Sequence, residues 1–495
     1  MILSDILINR KKFYVLVEIN FFSTRMVTCL KRGLNAIRGM TTQKPLRLME
    51  NLIMSKKALI TTLSIALLSS PFVACSSDHE SVTEFDGNNF VKEIRSAKTH
   101  SEAVIESGEL SKFVKGQYDL NFELLRASES QFAGKNAMIS TFSIQTAFGM
   151  VWAGAAEKTA DEIKDALHFD ENTHDALNKL NSLVLSKNKE AIQTEYVSMD
   201  AMEVSTTNDL YFAPKAHDWS EAWLDLLATS YDAGIQEIDF AADPEKARSY
   251  INNVVYEDTH ERIKDLFPTN SITADTVAVL TNAIYFKAPW ADNFMLNDSG
   301  LNFNKTDGST LDLPYITTEV SSFNYVDESN YVAVSVPLRE NAFRALFILP
   351  DDGKFDKVQK ALSGSEIESI FSHLSPKANV ALRIPTFTFN TSVNLKAPLQ
   401  ELGMKAAFTS TANFSKMTDS ANSMYISDAY HKTFIGLDEK GIEAAAATGI
   451  SMNENASPEK ITELYLDRPF FFVIYESDSN TPLFVGRVLD PSDES

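Results

Sequence analysis

The stretch Asp438-Glu-Lys-Gly-Ile-Glu-Ala-Ala-Ala-Ala-Thr448 decides how the rest of this chain is read. Alone, its four alanines would form a helix, because Ala is the best helix former. The longer segment has a different period. Ile442, Ala444, Ala446, Thr448, Ile450 and Met452 share one parity, and Glu443, Ala445, Ala447, Gly449, Ser451 and Asn453 the other. In an extended strand these sets face opposite sides. One face is then small or apolar throughout, and the other carries the charge and the amide. Glu454 is the first charge on the apolar parity, and the pattern ends there.

Further motifs surround this stretch. Downstream lies Leu464-Tyr-Leu-Asp-Arg-Pro-Phe-Phe-Phe-Val-Ile474, continued by Pro482-Leu-Phe-Val-Gly486-Arg-Val. Upstream lie Ile426-Ser-Asp-Ala-Tyr-His431-Lys-Thr-Phe434, Asn282-Ala-Ile-Tyr-Phe-Lys-Ala-Pro-Trp290 and the segment from Asn136 to Ser143. Over roughly residues 110–491 the chain resembles the serpins, which trap proteases by inserting a cut loop into their own β-sheet. The resemblance implies an α+β fold with about nine helices around three β-sheets and an exposed reactive-centre loop. It implies a hinge made of Glu439, Gly441, Ile442, Glu443, Ala444, Ala445, Ala446 and Ala447. It implies a shutter of Ser140, Ser143, Asn282 and His431 where the sheet opens, and Trp290 at the breach where insertion begins. Without it, the four shutter residues would read as satisfied buried polar groups. Two departures from the family stand out. Thr141 replaces the usual Pro, so a looser turn is expected. Ile442 replaces the usual Thr or Ser, so slower insertion is expected.

The scissile bond usually follows the seventeenth residue counted from the hinge glutamate, here Glu439, which gives Asn455-Ala456. The loop is a few residues longer than usual, so Glu454 and Met452 stay open as alternatives. Met would suit elastase- or chymotrypsin-like enzymes, Glu an acid-preferring protease and Asn an unusual one. The implied partner is a serine, or a cysteine, protease, whose nucleophile forms an acyl-enzyme at that residue. The chain supplies bait and work and no catalytic group.

The magnitudes favour insertion. About a dozen backbone pairings at roughly 0.5–1.5 kcal/mol each give on the order of 10 kcal/mol. Burial of Ile442, Ile450 and Met452 adds roughly 1.5–3 kcal/mol apiece. That rivals the stability of an ordinary domain, about 5–15 kcal/mol. The uncut form would be metastable, and loop insertion would release the stored strain.

Net charge is −22 over 495 residues, and the first 57 residues carry 11 Lys/Arg against 3 Asp/Glu. The remainder is therefore strongly acidic, which disfavours nucleic acid as a partner and favours solubility. The two cysteines, Cys29 and Cys75, allow no disulfide framework and no Cys-rich metal site. Neither a cofactor nor a metal is expected, and a monomer is. Met54-Ser-Lys-Lys, the apolar run at 58–70 and Pro71-Phe-Val-Ala-Cys75 read as a signal peptide over 54–74, too short to span a membrane. A cysteine directly after Ala74 resembles the lipobox of bacterial lipoproteins. Cys75 would then be lipidated, residues 75–109 a tether, and residues 1–53 an over-extended start. The expected location is the outer membrane or cell surface, with the periplasm or the extracellular space if the signal is an ordinary one. Membrane contact would run only through the lipid.

From about Leu110 to the end the chain reads as one domain, with helices first and strands later. Helices are expected over 113–126 and 219–231, after Asp243-Pro-Glu, and from Thr159 as a cap. Strands are expected at 208–212, 276–287, 331–338, 343–349 and 380–389, with Pro385 marking an edge or a bend in the last. Two more flank Ser477-Asp-Ser-Asn480. An enzyme is disfavoured: the sequence has no G-x-S-x-G, no H-E-x-x-H and no Walker-type glycine loop. His260 beside Glu261 reads as a solvated pair at a helix end.

Overall fold

Residues 276–287 are apolar on both parities, which requires cover on both faces. A computed structural model of the protein describes residues 90–194, 198–214, 218–318, 320–418, 424–443 and 461–494. The expected signal segment 54–74, Cys75, the alanines 444–447 and the scissile candidates Met452, Glu454, Asn455 and Ala456 lie outside those residues.

Ten α-helices occur among the described residues, against about nine expected: α1 Ser107–Ala127, α2 Glu129–Phe132, α3 Thr141–Gly154, α4 Glu157–Ala166, α5 Thr173–Leu185, α6 Glu221–Tyr231, α7 Pro244–Asp258, α8 Phe355–Ala361, α9 Gly364–His373 and α10 Lys396–Glu401. The strands are β1 Val91–Ile94, β2 Ala137–Ile139, β3 Ile192–Gln193, β4 Ser198–Met199, β5 Glu203–Thr207, β6 Leu210–Phe212, β7 Ile235–Ile238, β8 Ala278–Pro289, β9 Met295–Asn304, β10 Thr310–Thr317, β11 Ser321–Asp327, β12 Tyr331–Pro337, β13 Phe343–Pro350, β14 Ser375–Pro385, β15 Phe387–Asn394, β16 Asp428–Asp438, β17 Gly441–Ile442, β18 Thr462–Tyr465, β19 Phe470–Glu476 and β20 Pro482–Val488. They form three sheets. The first runs β1-β7-β6-β8-β17-β16-β15, with β5 also on β8. The second runs β2-β20-β19-β13-β12-β11-β14-β10-β9, with β18 on β14, and β3 and β4 pair alone. The architecture is α+β.

Strand β8 is at the centre of the first sheet. Its Leu280, Ile284 and Phe286 enter the main core, and its Val279 and Ala283 enter a second apolar cluster on the other face. That second cluster is closed by α7 through Ala247, Ile251 and Val255. Asp243 caps α7 by accepting from the Lys246 amide at 3.0 Å, and Pro244 occupies its first turn. Behind the sheet, α3 is buried along nearly its whole length.

Three local expectations differ. Residues 91–94, read as tether, pair antiparallel with β7 as an edge strand. Phe90 packs edge-on to Tyr250 of α7 at 6.2 Å, with Lys246 4.1 Å over its ring, so the folded part begins before Leu110. The strand expected over 380–389 is two strands, β14 and β15, in different sheets. Pro385 cannot donate to a ladder, and the chain changes sheet at Thr386, whose amide bonds the Pro314 carbonyl at 3.1 Å. Helix α4 starts at Glu157, so Thr159 lies inside it and accepts from the Asn413 amide at 2.9 Å.

Candidate functional site

Ser140 ends the turn after β2 and caps α3, its hydroxyl accepting from the Ser143 amide at 3.3 Å. Its own amide donates to His431 Nε2 at 3.1 Å. That bond leaves Nδ1 as the protonated nitrogen, which donates to Asn282 Oδ1. Asn282 Nδ2 in turn donates to Ser143 Oγ and to Asn208 Oδ1, each at 2.7 Å. Ser140, Ser143, Asn282 and His431 are all buried, and the structure brings them into one network across α3, β8 and β16. Asn208, at the turn into β6, is a fifth member that no spacing in the sequence marks. Burial pushes His431 down to about 3, so the ring stays neutral and Nε2 stays an acceptor.

Thr141 does not loosen the turn. Its hydroxyl donates to the Gln117 carbonyl at 3.1 Å and accepts from Asn121 Nδ2, tying the start of α3 to α1.

Strands β8 and β16 are parallel neighbours from Val279/Asp428 to Ile284/Thr433. Beyond that point they part, and β17 lies between them, antiparallel to both. Ile442 faces Leu437 on one side and Ala288 on the other, and Gly441 faces Asp438 and Pro289. The resemblance implied a loop that is exposed until it is cut; Gly441 and Ile442 of the hinge are already in the sheet. The reason is physical. Ile442 is only 2 % exposed, and hiding such a side chain is worth roughly 1.5–3 kcal/mol. Gly441 permits the approach, since a Cβ there would sit 2.3 Å from the Ala288 carbonyl oxygen and 2.6 Å from Pro289 Cα. The apolar departure at 442 is thus a buried side chain of the sheet.

The connecting turn is held by four bonds. Asp438 Oδ1 accepts from the amides of Lys440 at 2.8 Å and Gly441 at 3.2 Å. Trp290 donates its ring N–H to the Asp438 carbonyl at 2.8 Å and its amide to the Lys440 carbonyl at 3.0 Å. Trp290 thus stands where the hinge enters. Glu439 lies in this turn, 3.9 Å from the Lys440 ammonium. Glu443 comes next, with a left-handed φ of 52°. Its amide bonds the Gly436 carbonyl at 2.8 Å, and its carboxylate pairs with Arg262. Burial raises the Glu443 carboxyl, and Arg262 opposes that shift.

His260 pairs with Glu203 at 2.8 Å and packs on Tyr285, and among the described residues no group of three or more His, Cys, Asp or Glu could hold a metal. A cleft of about 540 Å³ opens beside Asn208, lined also by Asp209, Tyr231 and Asp258. Burial first, and then Asp258, push Asp209 up to about 6. No helix of the described residues is long and apolar enough to cross a membrane.

Comparison with known proteins agrees with this geometry. The sequence model of the family Serpin (serine protease inhibitor) matches residues 115–491. An uncharacterized serpin-like protein of Thermococcus kodakarensis is 32% identical over 395 residues, 79% of this chain and 88% of that one. A leukocyte elastase inhibitor of Xenopus laevis is 31% identical, covering 75% and 97%. Human thyroxine-binding globulin complexed with thyroxine superposes with a TM-score of 0.67 at 26% identity, covering 78% of this chain and all of that one. With its motifs gathered around a seated hinge and a family match over most of its length, the chain belongs to the serpin family.

Proposed function

We propose that the chain is an irreversible inhibitor of serine-type endopeptidases, with cysteine enzymes as the second class it would take. The observation that supports this reading most is the hinge seated between β8 and β16. The two ladders of β17, if continued down the chain, would put Ala444 opposite Ile435 and Phe286, and Ala446 opposite Thr433 and Ile284. Thr433 and Ile284 are themselves partners in the parallel ladder. One register therefore serves all three strands. It would carry Thr448 to His431 and Asn282, and Met452 to Ala278, the first residue of β8. Glu454, the first charge on the inward parity, would fall just beyond the end of β8. The insertable pattern and the receiving strands have matching lengths.

In this reading a protease cleaves the loop at Asn455-Ala456, or after Glu454 or Met452, and is held as an acyl-enzyme. The released strand inserts, carrying the protease away before water can free it. A non-inhibitory serpin that binds a ligand is the second reading. The cleft beside Asn208 and the likeness to thyroxine-binding globulin favour it. Incubation with elastase-, chymotrypsin- and trypsin-like enzymes separates the two. SDS-stable complexes support the inhibitor; plain loop cleavage by every enzyme, with none trapped, would eliminate it. Export and anchoring through Cys75 are part of the proposal, and Cys75→Ser should move the protein from the membrane to the soluble fraction.

A further inference from the structure

The described part of the hinge changes conformation just after β17. Gly441 and Ile442 are in the sheet, yet at Glu443 the backbone turns left-handed, with φ 52°. A glutamate in that region is strained. The strain would be relieved either by withdrawing the hinge or by straightening and inserting further. Instead the residue is held in place. Its amide still bonds Gly436, and its carboxylate is bonded by Arg262 Nε.

Arg262 is well placed to hold a load. It lies just beyond α7, with its amide bonded to the Thr259 carbonyl at 3.0 Å. The next residue, Ile263, is buried in the second apolar cluster, and its amide bonds Thr259 Oγ1 at 3.1 Å. The guanidinium also lies 5.4 Å over the Phe434 ring of β16, a cation–π contact. Arg262 therefore touches the hinge, one wall of the slot and the helix that covers it. Other charges act on the Glu443 carboxylate from a distance: Lys287 of β8 and His260 after α7. His260 is bonded to Glu203.

We infer that Arg262 is a positioning residue that holds the uncut loop at two inserted residues, so that insertion after cleavage starts from a strand already in register. The inference rests on the loop-insertion reading for its consequence, but not for its geometry.

Hydrogen exchange on the uncut protein tests the geometry. Arg262→Ala should speed exchange of the Glu443 and Trp290 amides about tenfold, with the amides of β8 at 281–284 unchanged. Glu443→Gln should do the same, and the double variant should add nothing further. Arg262→Lys keeps the charge but not the planar fork over Phe434, and should restore only part of the protection. Unchanged exchange in Arg262→Ala, or additive effects in the double variant, overturns the inference. The consequence is read from the moles of inhibitor used per mole of protease trapped. That ratio should rise about twofold or more in Arg262→Ala, as unseeded loops are released as plain substrate. An unchanged ratio overturns the seeding role. If the wild-type chain traps no protease at all, the inhibitor reading falls, and the exchange experiment still decides what Arg262 does.

Discussion

Gly441 is the residue on which the seated hinge depends most directly. The atoms a methyl would meet at 2.3 and 2.6 Å are backbone atoms of Ala288 and Pro289, which cannot rotate aside. Gly441→Ala should therefore expel β17, since keeping it would cost roughly 1–3 kcal/mol of overpacking. Faster exchange of the Trp290 amide, which bonds the Lys440 carbonyl, would report the expulsion; protection equal to wild type would refute the steric argument. His431 contributes a pH dependence of stability. Its folded value, about 3, lies below its ordinary 6.5 because of burial. A depressed histidine contributes stability that is complete above pH 6.5 and lost as pH falls from there toward 3. Between pH 7.5 and pH 5 the loss is about 2 kcal/mol. His174, pushed to about 4 chiefly by burial, loses stability in the same direction. Asp209, raised to about 6, works oppositely: its protonated form is favoured in the fold, which gains stability as pH falls below that value. The pH slope of the urea midpoint should therefore be shallower in His431→Gln than in wild type by about 2 kcal/mol over this window. Equal slopes would mean that His431 is not the buried neutral ring described here. A titration of its ring protons gives the same answer if the variant does not fold.

Among the elements, the pair β8 and β16 defines the slot, and the register of β17 says which loop residues it would receive. Ala444 would face the main core between Ile435 and Phe286, both buried. A guanidinium there has no partner and costs several kcal/mol to bury. Ala444→Arg should turn an inhibitor into a substrate, seen on SDS gels as cleaved monomer replacing the trapped complex. Trapping at the wild-type level would show that the register does not continue as drawn. How much of this could be read in the sequence differs by element. Strand β8, helix α7 and the pair β19 and β20 carry their own signals, namely continuous apolarity, an Asp-Pro cap and a polar turn. Pro385 marked an irregularity, but the change of sheet there did not show, because two strands of different sheets in unbroken succession have the periodicity of one. Strand β1 did not show either: four residues flanked by polar sequence have no core of their own and become a strand only through β7. Of the shutter, Ser140, Ser143, Asn282 and His431 could be picked out by family resemblance alone. Asn208 could not, because its role comes from the turn that brings β6 against β8. The seated hinge was hidden for a similar reason, since only the structure shows how far β8 and β16 have already separated.

For the whole molecule, the stored energy differs from what the loop sequence implied. Ile442 is already buried, so its burial no longer contributes to the driving force. Full insertion must also break the parallel ladder between Val279–Ile284 and Asp428–Thr433 and replace it with two antiparallel ones. In the inhibitor reading the gain would still favour the cut form, since one ladder would become two and Ile450 and Met452 would be buried in the core. A single clip in the loop should raise the unfolding midpoint by about 10 °C, as expected for roughly 10 kcal/mol in a folded chain of about 400 residues. Differential scanning calorimetry before and after nicking checks it, and coincident transitions would show that no such energy is held. The short strand at Val91–Ile94 has a practical consequence as well. It covers the outer side of β7 and, at four residues, leaves only a short edge of its own. A recombinant chain begun at Leu110 would leave that row of amides and carbonyls open to a second molecule. Such a truncated protein should elute from size exclusion as dimers and larger assemblies, while one begun near residue 85 should run as a single species.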